Sequence, residues 1–309
     1  MKVWIPNEHG RDLLGPVPDG CTIEVCSDPN AQLPSDPADL QFWVPPFLSQ
    51  ADAVALTQKM PALKVIQLMS AGADAWVGRV RDGVLLCDAR GVHDSPTAEW
   101  VVSAILSQLR EFPAFIRAQA RSEWAYGAHT PTDELAGKRV LIVGAGSIGS
   151  AVVARLEPFE VELTLVARRP RPAEGVHGVE ELPTLLPYAD VVVLIVPLTE
   201  QTKGLVDAGF LAAMPDGALL VNASRGVVVD TGALLAELTA GRLRAALDVT
   251  DPEPLPPDHP LWTMPGVLIT PHVGGSVAGF HQRAYRVAAA QIDAFAAGRD
   301  PANLVRGSY

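Results

Sequence analysis

The chain has 309 residues, more than one hydrophobic core usually serves, so two domains are the expectation. A hydrophobic fraction of 48% beside 19% charged residues marks a globular protein, and no apolar run approaches the roughly 18 residues that span a bilayer. The formal net charge of −11 weighs against nucleic acid or an anionic membrane surface as the main partner. The opening MKVWIPNEHGRD lacks a signal-peptide layout, so a soluble, cytoplasmic protein is expected. Cys21, Cys26 and Cys87 cannot all pair and show no zinc-ligand spacing, while the seven histidines are scattered; reduced thiols and no metal are expected.

In chain order, Val3–Ile5, Thr22–Val25, Gln41–Val44, Val65–Leu68 and Val84–Cys87 read as strands, with Ser49–Lys59 as an intervening helix. This βα alternation predicts a parallel sheet of its own. Ser95–Phe112 reads as a long helix: Ser95 is placed to cap it, Pro96 suits its first position, Glu99 sits in its first turn, and Pro113 marks its end.

A second alternation opens at 140–149, VLIVGAGSIG, a buried strand breaking into glycines spaced G-x-G-x-x-G. Gly144 suits a tight turn, Gly146 lets a pyrophosphate approach the backbone, and Gly149 lets the following helix pack closely on its strand. Free amides at that helix start favour a phosphate pair. The strands predicted here are Val140–Val143, Glu162–Ala167, Val191–Val196, Leu219–Asn222, Ala245–Asp248 and Val267–Thr270, followed by a final helix over Phe280–Ala297. The fold class expected is α/β, with two Rossmann- or flavodoxin-like lobes. The dinucleotide lobe (96–280) is inserted into a substrate lobe (1–95 plus 281–309), with the active site in the cleft. Chemistry in such sheets lies beyond the carboxyl ends of the strands.

After Glu162–Ala167, where NAD-binding proteins place a carboxylate for the ribose hydroxyls, this chain has Ala167-Arg168-Arg169. Arg168 and Arg169 could grip a 2′-phosphate, which favours NADP(H) while leaving NAD(H) possible; a solvated basic loop is the other reading. Arg225 follows the fourth predicted strand, Asp248 ends the fifth with Glu253 in the loop after it, and His272 follows the last. Singly, Arg225, Glu253 and His272 read as a surface ion pair, a solvated loop charge and a core-edge histidine. Their joint placement on the ligand edge argues for chemistry.

GAGSIG, VPLTEQTKGLV, NASRGVVVD, ALDVTDPEPLP and TPHVGGS, in this order and spacing, closely resemble the D-isomer-specific 2-hydroxyacid dehydrogenases over essentially the whole chain. The resemblance implies Arg225, Glu253 and His272 as the catalytic set. It implies Gly144, Gly146, Ser147, Ile148, Gly149, Arg168, Arg169, Pro197, Thr202, Ala223 and Asp248 as cofactor-binding, with Asp248 near the nicotinamide carboxamide. In SAGAD at 70–74, it implies that the amides of Ala71 and Gly72, with Arg225, receive a substrate carboxylate; a tight strand-to-helix turn is the plainer reading. The implied activity is NADPH-preferring reduction of a small 2-oxo acid, such as glyoxylate or hydroxypyruvate, by a homodimer. His272 would be the acid/base, and Glu253 would orient its ring and favour the charged form. A nucleotide-sensing corepressor or scaffold of the same fold, or a phosphonate-type dehydrogenase, is the alternative. Glu253 argues against a formate enzyme, where glutamine stands.

Two positions depart from the family pattern. His93 stands where asparagine is common, and Glu160 where glycine is usual after Phe159. Trp43, Phe47 and Trp124 are either pocket walls or packing.

Overall fold

Helices on both faces of a parallel sheet leave its strands no polar side, and the apolar runs here obey that rule: Val191, Val192, Val193 and Leu194 are all fully buried. The computed structural model describes residues 1–47 and 50–306. The chain divides into two units, 1–93 with 277–309, and 94–276.

In the first unit, β1 (Lys2–Ile5), β2 (Thr22–Val25), β3 (Phe42–Trp43), β4 (Val65–Gln67) and β5 (Leu85–Cys87) form a wholly parallel sheet in the order β2-β1-β3-β4-β5. The predicted intervening helix is a helix over Gln50–Leu56 that tightens into a 3-10 turn at Thr57–Lys59. Its expected first residue, Ser49, lies outside the described residues. One face of the sheet packs Val3, Phe42 and Val65 against Tyr285, Ala288 and Ile292 of the final helix, Phe280–Ala296. Gly10 makes that packing possible, because a Cβ there would stand 2.1 Å from the Tyr285 ring. The other face buries Trp4, Trp43 and Trp76. Cys26 and Cys87 are buried, and desolvation pushes their thiols up to about 11 and about 12.

The second unit holds β6 (Arg139–Val143), β7 (Glu162–Ala167), β8 (Val176–Gly178), β9 (Val191–Leu194), β10 (Leu219–Asn222), β11 (Arg244–Leu247) and β12 (Val267–Ile269). All pair in parallel, in the order β12-β11-β10-β9-β6-β7-β8. Six of these seven are predicted from apolar runs. The exception, β8, is three residues of sequence VHG, too short and too mixed to carry a period. From β6 the chain runs outward through β7 and β8, then returns to β9 on the other side of β6. That reversal opens a crevice at the carboxyl ends of β6 and β9.

The long helix differs from expectation at both ends. It spans Asp94–Leu109, so Ser95 lies inside it and donates to Glu99 Oε1 at 2.9 Å rather than capping it. It stops before Pro113 because Glu111 turns left-handed, with φ 55°. Pro113 then falls in the first turn of a second helix, Phe112–Ala120, where a missing N–H costs nothing.

Among the described residues no helix is long and apolar enough to cross a membrane, and no group of three or more His, Cys, Asp or Glu could hold a metal ion.

Candidate active site

The glycine turn is shaped by close backbone approach. Gly144 has φ 123°, and a Cβ on it would meet Ile195 O at 2.0 Å. A Cβ on Gly149 would meet Gly144 O at the same distance. Gly146 is different: nothing lies within 4 Å of its Cβ position, and the residue is exposed. Space is therefore open where a pyrophosphate approaches backbone, and the helix Ser147–Leu156 starts there without a side-chain cap. These features fit a dinucleotide.

The Gly144 amide donates to Val166 O at 2.8 Å, bringing the glycine turn beside the end of β7. There Arg168 and Arg169 are exposed. Arg171, which the sequence reading leaves without a role, donates through Nη2 to Ala145 O at 3.1 Å and pairs with Glu174 at 2.7 Å. Two further predicted cofactor residues meet each other: Thr202 Oγ1 donates to Pro197 O at 2.6 Å and accepts from the Thr199 amide at 2.8 Å. The Ala223 amide is spent on Leu194 O.

The three predicted catalytic residues follow the adjacent strands β10, β11 and β12, whose ends are laced together. The Asp248 amide donates to Asn222 O at 3.0 Å, and the His272 amide to Asp248 O at 2.7 Å. Arg225 opens a 3-10 turn, Gly226–Val228, with Nη1 donating to Ser224 O at 2.9 Å. Gly226 lets this turn rest on the next one, because a Cβ would meet Thr250 O at 1.9 Å. Glu253 sits between cis peptide bonds at Asp251–Pro252 and Glu253–Pro254. His272 has φ 55°, an uncommon conformation for a side-chain-bearing residue. Its Nδ1 lies 2.6 Å from Glu253 Oε1, and both side chains are nearly half exposed.

Asp248 is 4% exposed. Its carboxylate accepts from the Val273 and Gly274 amides at 2.9 and 2.8 Å and from Thr270 Oγ1 at 2.6 Å. Trp100 Nε1 in turn donates to Thr270 Oγ1 at 2.9 Å. This buried chain shapes the turn that carries His272. Thr270 opens the TPHVGGS motif, but nothing in that motif announces its partner Trp100, which lies 170 residues away in sequence.

A model of the D-isomer specific 2-hydroxyacid dehydrogenase NAD-binding domain matches residues 102–274, more than half of the chain. The chain belongs to this dehydrogenase family. It is 36% identical over 248 residues to glyoxylate/hydroxypyruvate reductase B of Citrobacter koseri, covering 77% of this chain and 76% of the relative. It is similar to a solved D-isomer-specific 2-hydroxyacid dehydrogenase from Xanthobacter autotrophicus Py2, in complex with NADPH and MES. That structure has a TM-score of 0.84 and 30% identity, with 99% of this chain and 97% of that chain covered. An NADPH-dependent glyoxylate/hydroxypyruvate reductase from Sinorhizobium meliloti, in complex with NADP and sulfate, has a TM-score of 0.83 and 27% identity over 98% of each chain.

The dehydrogenase's first unit carries the other predicted contacts. The 70–74 segment follows β4 and is held by Ser70 Oγ donating to Gly72 O at 2.7 Å and by the Ala89 amide on Ser70 O. It leads into turns, not the helix of the plainer reading. His93 is buried; because Met69 O can only accept, its Nε2 carries the proton across their 2.9 Å contact. Phe47 and Phe280 lie against the His93 ring, with centroids 6.1 and 5.3 Å away. Trp43 is fully buried against Trp76, so its role is packing; Trp124 is 95% exposed.

Proposed function

We propose that this dehydrogenase reduces a small 2-oxo acid of the glyoxylate or hydroxypyruvate type to the D-2-hydroxy acid, preferring NADPH. The observation that carries this reading is the Glu253–His272 pair on the same strand edge as Arg225. The nicotinamide, when bound, supplies hydride to the carbonyl carbon. His272 gives its Nε2 proton to the carbonyl oxygen and recovers one in the reverse direction, while Glu253 on Nδ1 fixes the ring. Arg225 offers a planar fork of donors to the carboxylate, which orients one carbonyl face toward hydride. The amides of Ala71 and Gly72 are part of the same proposal as carboxylate donors.

NADPH preference is supported by Arg168 and Arg169 at the end of β7, where no carboxylate stands, and by the NADPH and NADP in the two similar structures. Ser147, Ile148, Pro197, Thr202, Ala223 and Asp248 complete the proposed cofactor shell. Homodimerisation through the nucleotide-binding unit belongs to the same reading. Phe112, Ile116, Trp124 and Tyr126 give that unit exposed apolar surface.

The test is NADPH oxidation by purified protein with a panel of 2-oxo acids, repeated with NADH. Turnover of at least one small 2-oxo acid, faster with NADPH, is expected. Tight nucleotide binding with no turnover on any acid overturns the reading in favour of a nucleotide sensor. Arg225→Lys is expected to raise KM for the 2-oxo acid sharply and to spare NADPH binding.

A further inference from the structure

We propose that Asp94 is a positioning residue that limits how tightly the chain holds a dinucleotide, by placing a carboxylate beside the start of the Ser147–Leu156 helix. The proposal rests on the dinucleotide reading above and extends it to a residue outside the cofactor-binding motifs.

Ser147 is the first residue of its helix, and its N-cap is Gly146, which has no side chain to accept from the first-turn amides. Such a terminus carries partial positive charge and attracts an anion. The structure places a carboxylate beside that terminus: Ser147 Oγ donates to Asp94 Oδ2. Asp94 is itself the first residue of the Asp94–Leu109 helix, which packs against the Ser147–Leu156 helix. Asp94 therefore stands at two helix starts at once. The nearby cation Arg155 is directed to Ser95 Oγ at 2.7 Å and to Glu99 at 3.5 Å.

On the far side of the same loop, Arg171 holds Ala145 O, so the glycine turn is pinned one residue before Gly146 and one residue after it. Gly146 between them is open to an approaching group. A pyrophosphate arriving over Gly146 meets the Asp94 carboxylate one residue away, already hydrogen-bonded to Ser147. Two anions then compete for one helix terminus, and the carboxylate must withdraw or tolerate repulsion. The cost falls on the pyrophosphate and leaves the adenosine contacts untouched. A reductase gains from this, since cofactor must leave after every turnover and binding shared equally by ground and transition states does not raise kcat.

Calorimetric titration of wild type, Asp94→Asn and Asp94→Ser with NADPH and with adenosine 2′-monophosphate tests this, with melting curves to confirm folding. Serine keeps a first-turn hydrogen-bonding group if asparagine fails to fold. NADPH is expected to bind the variants roughly five- to tenfold more tightly, and adenosine 2′-monophosphate, which has no pyrophosphate, is expected to bind all three alike. NADPH affinity unchanged or weakened in a folded variant overturns the proposal. So does equal tightening of both ligands, which marks a general change in the loop. Wild type that binds neither ligand overturns the dinucleotide reading itself.

Discussion

His272 and Glu253 meet through Nδ1 and Oε1 at 2.6 Å, on turns that follow β12 and β11. On the proposed reading, Nε2 is then the atom that exchanges the proton. His272→Asn is expected to lower kcat by about a hundredfold or more, because general acid–base catalysis contributes roughly 10²- to 10⁴-fold. Glu253→Gln is expected to cause a smaller loss in kcat with NADPH affinity retained. Stopped-flow NADPH oxidation measures both, and near-normal turnover in His272→Asn removes it from the mechanism.

Gly274 is expected to be indispensable for the same turn. A Cβ there would lie 2.8 Å from Asp248 Oδ2 and 3.5 Å from the Trp100 ring, and the carboxylate is fixed by Thr270 and two amides. Gly274→Ala is expected to destabilise the second unit by about 1–3 kcal/mol and to lower kcat by displacing His272. Denaturant unfolding with parallel kinetics checks this; an unchanged midpoint and rate overturn it.

Cofactor choice is expected to follow Arg168 and Arg169. Replacing both by alanine should reduce the NADPH-over-NADH ratio of kcat/KM by about tenfold or more, since charge-assisted bonds to a phosphate are worth on the order of 1.5–3 kcal/mol. NADH kinetics should change little. An unaltered ratio assigns the discrimination elsewhere, with Arg171 the next residue to replace.

Glu160 occupies a left-handed conformation, φ 59° and ψ 38°, at the turn after Phe159. A side chain there costs about 1–2 kcal/mol relative to glycine, partly offset by glycine's greater freedom in the unfolded chain. Glu160→Gly is therefore expected to raise the melting temperature of the second unit by about 2–4 °C. Calorimetry showing no rise contradicts it.

Arg139 binds Asp190 through Nε and Nη2 at 3.1 and 2.9 Å, and the Arg139 amide adds a bond at 2.8 Å. The Arg139 side-chain bond is the main cause that holds the Asp190 carboxyl below its ordinary value. A depressed carboxylate contributes stability that is complete above the unfolded value and is lost as pH falls through the folded one. Asp190→Asn is thus expected to flatten the acid limb of stability against pH, with the difference from wild type vanishing at the lowest pH. Urea midpoints across the acid range measure it.

Local pattern alone determined the strands with long apolar runs, the glycine turn and the strand ends after which Arg225, Glu253 and His272 follow. Buried parallel strands need apolar side chains and a phosphate turn needs glycine, whatever surrounds them. Tertiary structure decided the rest. β8 exists because Val166 and its neighbours in β7 offer an edge to VHG, not because VHG favours a strand. The helix expected to end at Pro113 ends earlier because Glu111 takes a left-handed turn that composition does not signal. Trp100 reaches Thr270, and Asp94 reaches Ser147, across 170 and 53 residues of sequence. Such hydrogen bonds depend on where folding brings two distant side chains, a distance that no local period encodes.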